Sequence, residues 1–129
     1  PILDLDNFFT DIHKYLRYLE EIIIKTLLDF GLKSTRGDGE TGVWLDLDTP
    51  FARKICAMGV RASRWVTMHG FALNINTDLS YFNYIVPCGI KGKKVTSLSK
   101  ELNKQVDPEI VKASLLKYFS EIFEVEIIN

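Results

Sequence analysis

Cys88 and Cys56 are the two residues of this 129-residue chain best suited to nucleophilic chemistry, and their sequence surroundings differ. Pro87 fixes the approach of the chain to Cys88, and Gly89 after it allows a ligand to come close to the backbone. Cys56 lies among small and aliphatic residues, where a free thiol behaves as a small hydrophobe. These surroundings favour a buried, inert thiol at Cys56. They leave Cys88 equally open to being a nucleophile or a loop thiol.

A nucleophilic cysteine reacts as its thiolate, so a neighbouring group must lower its pKa below the usual value of about 8.5. The histidine available for this role would be His69. The alternative is Lys54, since a positive charge about 4 Å away can lower a thiol pKa by roughly one to three units. From the local pattern alone, a solvent-exposed lysine on an edge strand is the favoured interpretation of Lys54.

Metal and nucleotide chemistry have little support in the sequence. His13 and His69 are the two histidines, the cysteines form no Cys-x-x-Cys pair, and no glycine-rich phosphate loop occurs. The sequence therefore predicts no metal site and no cofactor. His13 falls one position off the apolar stripe of the first predicted helix, so we expect it at the surface.

The composition is that of an ordinary globular domain, with 47% hydrophobic and 26% charged residues and a net charge of −1. A charge so close to zero argues against a dedicated nucleic-acid binder. Two cysteines make no disulfide scaffold, which favours a reducing cytoplasm. The stretch 65–90 carries a single charge, Asp78, but too many polar residues for a membrane span. It predicts either the centre of the core or the lining of an apolar pocket.

Two long helices are predicted from apolar periodicity and capping residues. Apolar residues recur every three or four positions from Phe8 to Phe30, with Asp6 as the cap and Gly31 at the end. A second helix starts with Asp107 as cap and Pro108 in its first turn. Its predicted buried face comprises Ile110, Val111, Ser114, Leu115, Tyr118, Phe119 and Ile122.

The rest of the chain predicts short strands and turns around one hairpin. Segments 54–61 and 65–76 are expected to pair through a turn at 62–64, and segment 78–94 is irregular. Further strands are expected at 33–36, 43–47 and 124–128, with turns at 36–42 and 49–50 and a short helix at 97–103. The prediction is a single α+β domain over 1–129, a mostly antiparallel mixed sheet with packed helices.

Four sequence blocks, in order and in register, carry a resemblance to a known family. They are Thr41-Gly-Val-Trp44, Lys54-Ile-Cys-Ala-Met-Gly-Val-Arg61, Arg64-Trp-Val-Thr-Met-His-Gly-Phe-Ala-Leu-Asn74 and Phe82-x-x-Ile-Val-Pro-Cys-Gly89. The chain resembles the lipoyl(octanoyl) transferases of the lipoate–protein ligase B family over essentially its whole length. The resemblance implies a catalytic domain with the fold of biotin and lipoate ligases.

The resemblance also implies an acyltransferase of lipoate biosynthesis, an octanoyltransferase. Such enzymes move octanoyl (or lipoyl) from acyl carrier protein onto a cysteine as a thioester. They then pass it to a lysine amine of a lipoyl domain, in 2-oxoacid dehydrogenases or in the glycine cleavage H protein. No cofactor is implied, the expected location is the cytoplasm, and neither nucleic acid nor membrane is an expected partner.

Site residues follow from the same resemblance. The family cysteine falls on Cys88, and the lysine that lowers its pKa and can act as general base falls on Lys54. Acyl contacts fall on Ala57, Met58, Gly59, Gly70, Phe71 and Ala72. His69 is either a residue beside this site or a core histidine with its hydrogen bonds satisfied.

The chain departs from the family pattern at its start. Family members carry an Arg-Gly-Gly block and a His-Gly-Pro-Gly-Gln block before the point where this chain begins, so the resemblance implies a C-terminal part. The first strands would then be missing, and we expect an exposed sheet edge that self-association could cover.

Two other functions stay open. One is an ATP-dependent ligase of the lipoate or biotin type. The other is a non-catalytic fragment that binds acyl carrier protein or lipoyl domains. A basic run would suit an acidic carrier protein, although it also fits a solvated surface; it comprises Lys91, Lys93, Lys94, Lys100 and Lys104.

Overall fold

The computed structural model describes residues 1–84 and 94–128. Over those residues it has the predicted α+β architecture, a five-stranded, mostly antiparallel sheet with two long helices packed against it. The core lies between the helices and the sheet. Side chains such as Ile23 and Leu27 from the first long helix meet Val43, Ile55 and Cys56 from the strands.

Helix α1 spans Ile12–Asp29 and ends where Gly31 takes a left-handed φ of 81°. The predicted end is therefore confirmed, but the predicted cap at Asp6 is wrong. Asp11 caps the helix, because its side chain accepts a hydrogen bond from the first turn. Asp6 instead belongs to a separate 3-10 turn, Leu5–Asn7, which ends before α1 begins.

Helix α3 spans Pro108–Phe123 and is capped by Asp107, as predicted. Its buried face differs in part from the prediction. Val111 is fully buried, but Ile110 is 57% exposed, so its predicted burial is wrong. The side chain that anchors the far end of α3 is Phe123, which the pattern did not single out. Its ring packs against those of Phe8, Phe9, Tyr15, Tyr18 and Phe119.

The centre of the sheet is an antiparallel hairpin of β3, Arg53–Ser63, and β4, Val66–Leu73. Its loop is two residues long, Arg64 and Trp65, both with positive φ (51° and 65°). Two such residues are typical of the turns that match strand twist. The turn therefore lies later than the predicted 62–64.

The remaining strands are short. β1, Thr35–Arg36, pairs with β2, Val43–Leu45, and β2 pairs with the start of β3. β5, Lys94–Val95, runs parallel to the start of β3, and helix α2, Leu98–Leu102, follows it.

The predicted strand at 124–128 is wrong. Glu124 takes a left-handed φ of 55°, and the Val125 N–H donates to the Ser120 carbonyl at 3.1 Å. The Ser120 hydroxyl donates to the Val125 carbonyl in return. The backbone N–H and carbonyl of Val125 thus bond to the end of α3, whereas in a strand they would bond to a neighbouring strand.

The first residues of the chain cover part of the free edge of β4. The Leu5 N–H donates to the Trp65 carbonyl at 2.8 Å, and the Thr67 N–H donates to the Leu3 carbonyl at 2.9 Å. The expected exposed edge is therefore occupied at this end of the hairpin.

Candidate functional site

An open groove of about 690 Å³ lies along the β3–β4 hairpin. It is lined by Pro1, Ala57, Met58, Gly59, His69, Gly70, Phe71 and Ala72. The six residues predicted to contact an acyl chain are all among them. That these residues bind a ligand stays a prediction.

The strand register explains why the two predicted segments meet. Ala57 lies opposite Ala72, Met58 opposite Phe71, and Gly59 opposite Gly70. Segments that are separate in sequence thus become one continuous strip of the sheet. The side chains in it are small or apolar, which suits a hydrocarbon chain better than a charged ligand.

Gly59 leaves its backbone open to the groove, whereas Pro1 covers that of Gly70. A Cβ added to Gly59 would meet no heavy atom within 4 Å, whereas one added to Gly70 would lie 3.3 Å from Cδ of Pro1. A ligand can therefore approach the Gly59 backbone directly.

His69 lines the same groove and is exposed, so it is not a core histidine. Its φ of 64° lies in the left-handed region although it sits within strand β4. A non-glycine residue in this conformation is strained, and such strain concentrates at functional sites.

Lys54 is held between neighbouring strands. It pairs with Trp44 of β2 and with Val95 of β5, and it is half-buried. Its Nζ atom lies 4.7 Å from the centre of the Trp44 ring, a cation–π contact. The interpretation of Lys54 as a solvated edge-strand lysine is therefore wrong.

Cys56 is fully buried, as predicted. The pKa of its thiol is raised to about 12, first by burial and then by the negative charge of Glu20, while the positive charge of Lys54 opposes both. A thiol held protonated in this way is a poor nucleophile.

Cys88, the predicted nucleophile, lies outside the described residues, as do Lys91 and Lys93. Of the same basic run, Lys94, Lys100 and Lys104 are described, and all three are exposed. Val95, which pairs with Lys54, follows Cys88 by seven positions in the sequence.

An ion-pair network fixes the strand and helix that follow this part of the chain. Arg53 of β3 donates to Glu101 of α2 at 2.9 Å and to Asp46 at 2.7 Å. Thr96 donates to the same Glu101 carboxylate at 2.6 Å. The hydrogen bonds that Arg53 donates to Glu101 lower the pKa of Glu101, and those that it donates to Glu101 and then to Asp46 raise its own pKa. The network holds β5 and α2 against the start of β3, next to Lys54.

One charged residue near Lys54 was missed by the sequence reasoning. Glu20 of α1 is completely buried and contacts Gly42 at the start of β2. A signal was available, because Glu20 stands four positions after Leu16 and three before Ile23, on the apolar side of the helix.

In the described ranges, no three His, Cys, Asp or Glu side chains cluster as metal ligands would. None of the helices there is both long and apolar enough to cross a membrane.

Residues 1–120 match the family described as the lipoyl protein ligase A/B catalytic domain. The chain is 71% identical to an octanoyltransferase of Christiangramia forsetii, covering 98% of this chain and 55% of that protein. It is 67% identical to one of Flavobacterium johnsoniae, covering 99% and 56%. The chain thus spans about half the length of these curated relatives.

Solved structures share the fold at low sequence identity. The biotin protein ligase of Aquifex aeolicus superposes with a TM-score of 0.72 at 18% identity, over 95% of this chain and 50% of that one. A bipartite lipoate protein ligase of Thermoplasma acidophilum gives 0.72 at 18% identity, over 93% and 49%. The predicted fold, that of biotin and lipoate ligases, is therefore confirmed.

Proposed function

The chain belongs to the lipoyl protein ligase A/B catalytic domain family, and from this premise we propose that it carries the acyl groove and the Cys88/Lys54 pair of an octanoyltransferase. Relatives named octanoyltransferase at 71% and 67% identity support this choice among the activities of the fold. The observation that carries the proposal is the groove, because the residues expected to hold an acyl chain line it together.

The acyl chain would bind along the hairpin. Ala57 and its cross-strand partner Ala72 provide small apolar side chains beside Gly59, which leaves room for the chain to lie against the backbone. Burial stabilises bound hydrocarbon by about 0.8 kcal/mol per methylene, so an octanoyl chain gains several kcal/mol in such a groove. That energy would bind an acyl group without any charged contact.

The proposed transfer has two steps. In the first, the Cys88 thiolate attacks the octanoyl thioester of acyl carrier protein, and the bond to the carrier sulfur breaks. The carrier thiolate takes a proton from the Lys54 ammonium as it leaves. In the second, the amine of the acceptor lysine attacks the Cys88 thioester and gives its proton to neutral Lys54. An amide forms, and the Cys88 thiolate and Lys54 ammonium are restored.

The proposed partners are acyl carrier protein as donor and lipoyl domains as acceptors. Lys94, Lys100 and Lys104 are exposed, and their charge complements an acidic carrier protein. The reaction belongs in the reducing cytoplasm, because Cys88 must remain a free thiol.

The test is acyl transfer from octanoyl-acyl carrier protein to an unmodified lipoyl domain, followed by the mass of the lipoyl domain. The chain is assayed together with the part of the Christiangramia forsetii octanoyltransferase that it does not cover. We expect transfer without ATP, and a loss of about 10²–10⁴-fold in Lys54→Met. ATP-dependent transfer of free octanoate would instead identify a ligase. Binding of the carrier protein without transfer would identify a non-catalytic binding domain.

A further inference from the structure

Glu20 is a buried carboxylate whose two oxygens contact different partners. Its side chain has no exposed surface. Oε2 accepts from Arg17 Nη1 at 2.7 Å and lies 3.5 Å from Arg36 Nε. Oε1 accepts from the Gly42 N–H at 3.1 Å. The arginine side chains are more than a third exposed, whereas Gly42 is buried.

The hydrogen bond from the Gly42 N–H to Glu20 lies where the Gly42 backbone packs tightly against β3. Gly42 has a φ of 119°, and a Cβ there would lie 2.8 Å from the Cys56 carbonyl oxygen and 3.3 Å from Cε of Lys54. The aliphatic chain of Lys54 therefore lies against the Gly42 backbone, in space that only glycine leaves free.

The same segment also contacts the charged end of Lys54. Trp44 follows Gly42 by two positions, and its ring lies 4.7 Å from the Lys54 Nζ. Gly42 and Trp44 thus form one surface along which the outer part of the Lys54 side chain, from Cδ to Nζ, lies. A contact that holds the Gly42 backbone in place therefore also holds this surface in place.

We infer that Glu20 is a positioning residue for Lys54: its hydrogen bond to the Gly42 N–H holds the Gly42–Trp44 segment against the Lys54 side chain. The importance of this contact for catalysis rests on the function proposed for Lys54. The position of the Lys54 side chain does not depend on that function, so it can be tested without any acyl transfer.

The partners of Glu20 differ in their access to water. Arg17 and Arg36 can turn into water if Glu20 changes, because they are partly exposed. The buried Gly42 N–H cannot reach water, and a buried donor without an acceptor lowers the stability of the fold. The chain would therefore shift at Gly42 to find another acceptor, and Lys54 would lose the surface on which it lies.

Two conservative substitutions separate hydrogen bonding from charge. Glu20→Gln keeps the length of the side chain and an oxygen that can accept from Gly42, but removes the charge. Glu20→Asp keeps the charge but is one methylene too short to maintain the 3.1 Å bond. Glu21→Gln is the matched control, because it removes an ion pair with Arg36 without touching Gly42.

The readout is the NMR signal of the Lys54 ε-CH₂ group in lysine-labelled protein, identified by its absence in Lys54→Arg. Stacking over the Trp44 ring should move this signal upfield of the other lysines. We expect the upfield shift to persist in Glu20→Gln and Glu21→Gln and to be lost in folded Glu20→Asp. Persistence in Glu20→Asp, or loss in Glu20→Gln, would overturn the inference. If the proposed transferase function failed, these shifts would still decide the role of Glu20.

Discussion

Gly59 lies directly opposite Gly70 in the β3–β4 ladder, in the middle of the apolar groove. On either side of Gly59 along the strand, Met58 and Val60 pack toward the helices. Because side chains alternate across a sheet, a side chain at Gly59 would point away from the helices and into open space. The groove thus exists partly because this position has no side chain.

Filling this position should block the groove without harming the fold. We expect Gly59→Val to leave the free energy of unfolding unchanged or raise it by about 1 kcal/mol, since glycine weakens strands. Octanoyl transfer should fall at least about tenfold, measured with the carrier-protein assay beside urea unfolding. Ala62→Val, at an exposed position of the same strand but outside the groove, is the control and should keep transfer. Equal transfer in both variants would place the acyl chain elsewhere.

The strained backbone at His69 predicts that glycine at this position makes the protein more stable, although glycine normally weakens a strand. Because His69 has a φ of 64°, His69→Gly should raise the free energy of unfolding by about 1 kcal/mol. At the neighbouring Met68, which has ordinary strand geometry, the same change should lower it by about 0.5–1 kcal/mol. Chemical denaturation of both variants measures the contrast. A loss of similar size at both positions would show that His69 is not strained.

The buried thiol of Cys56 predicts a loss of stability in alkali. Its pKa is about 12 in the folded protein and about 8.5 when unfolded, so above pH 8.5 only the unfolded chain releases this proton. Its contribution to the free energy of unfolding is complete below pH 8.5 and is lost as pH rises toward 12.

Comparison with Cys56→Ala isolates this effect. The difference in free energy of unfolding between the original protein and the variant should shrink by up to about 1.4 kcal/mol per pH unit above pH 9. Urea unfolding at pH 7 to 10.5 measures it. A difference that stays constant over this range would mean that Cys56 ionises normally in the folded protein.

The Arg53–Glu101 pair predicts a loss of stability at low pH, whereas Cys56 predicts one at high pH. Hydrogen bonds from Arg53 lower the pKa of Glu101 in the folded protein. Its stabilisation is therefore present above the unfolded pKa of about 4.3 and disappears as pH falls through the lower folded value. Glu101→Gln should cost about 1–3 kcal/mol at pH 7 and progressively less below pH 4.

A surface ion pair provides the control for this prediction. Glu109 pairs with Lys112 at 3.0 Å, but both side chains are mostly exposed. Glu109→Gln should change the free energy of unfolding by less than about 1 kcal/mol at any pH. If the two variants behaved alike in denaturation at pH 3 to 7, the Arg53 network would not stabilise the start of β3.

The sequence predicted those elements whose determinants are local. Asp107 and Pro108 mark the start of α3, and Gly31 marks the end of α1, because caps act within one helical turn. Alternation in residues 124–128 failed as a strand signal. A strand needs a partner, and Val125 bonds to the end of α3 instead.

The site was predictable to a similar extent. The family resemblance, and not the local pattern, predicted both hairpin segments as acyl contacts, and each of them contains a glycine among apolar residues. The contact of Glu20 with Gly42, and of Gly42 with Lys54, joins a helix, a loop and a strand. No spacing in the sequence encodes such a contact, because it depends on how α1 packs against the sheet.

In the proposed mechanism Cys88, and not Cys56, carries the acyl group. The most direct test of this claim is the intact mass of the chain after incubation with octanoyl-acyl carrier protein, with the uncovered part of the Christiangramia forsetii relative supplied. We predict an octanoyl adduct that neutral hydroxylamine removes, present in Cys56→Ala and absent in Cys88→Ser. An adduct that persists in Cys88→Ser, or one that only Cys56→Ala abolishes, would contradict the claim.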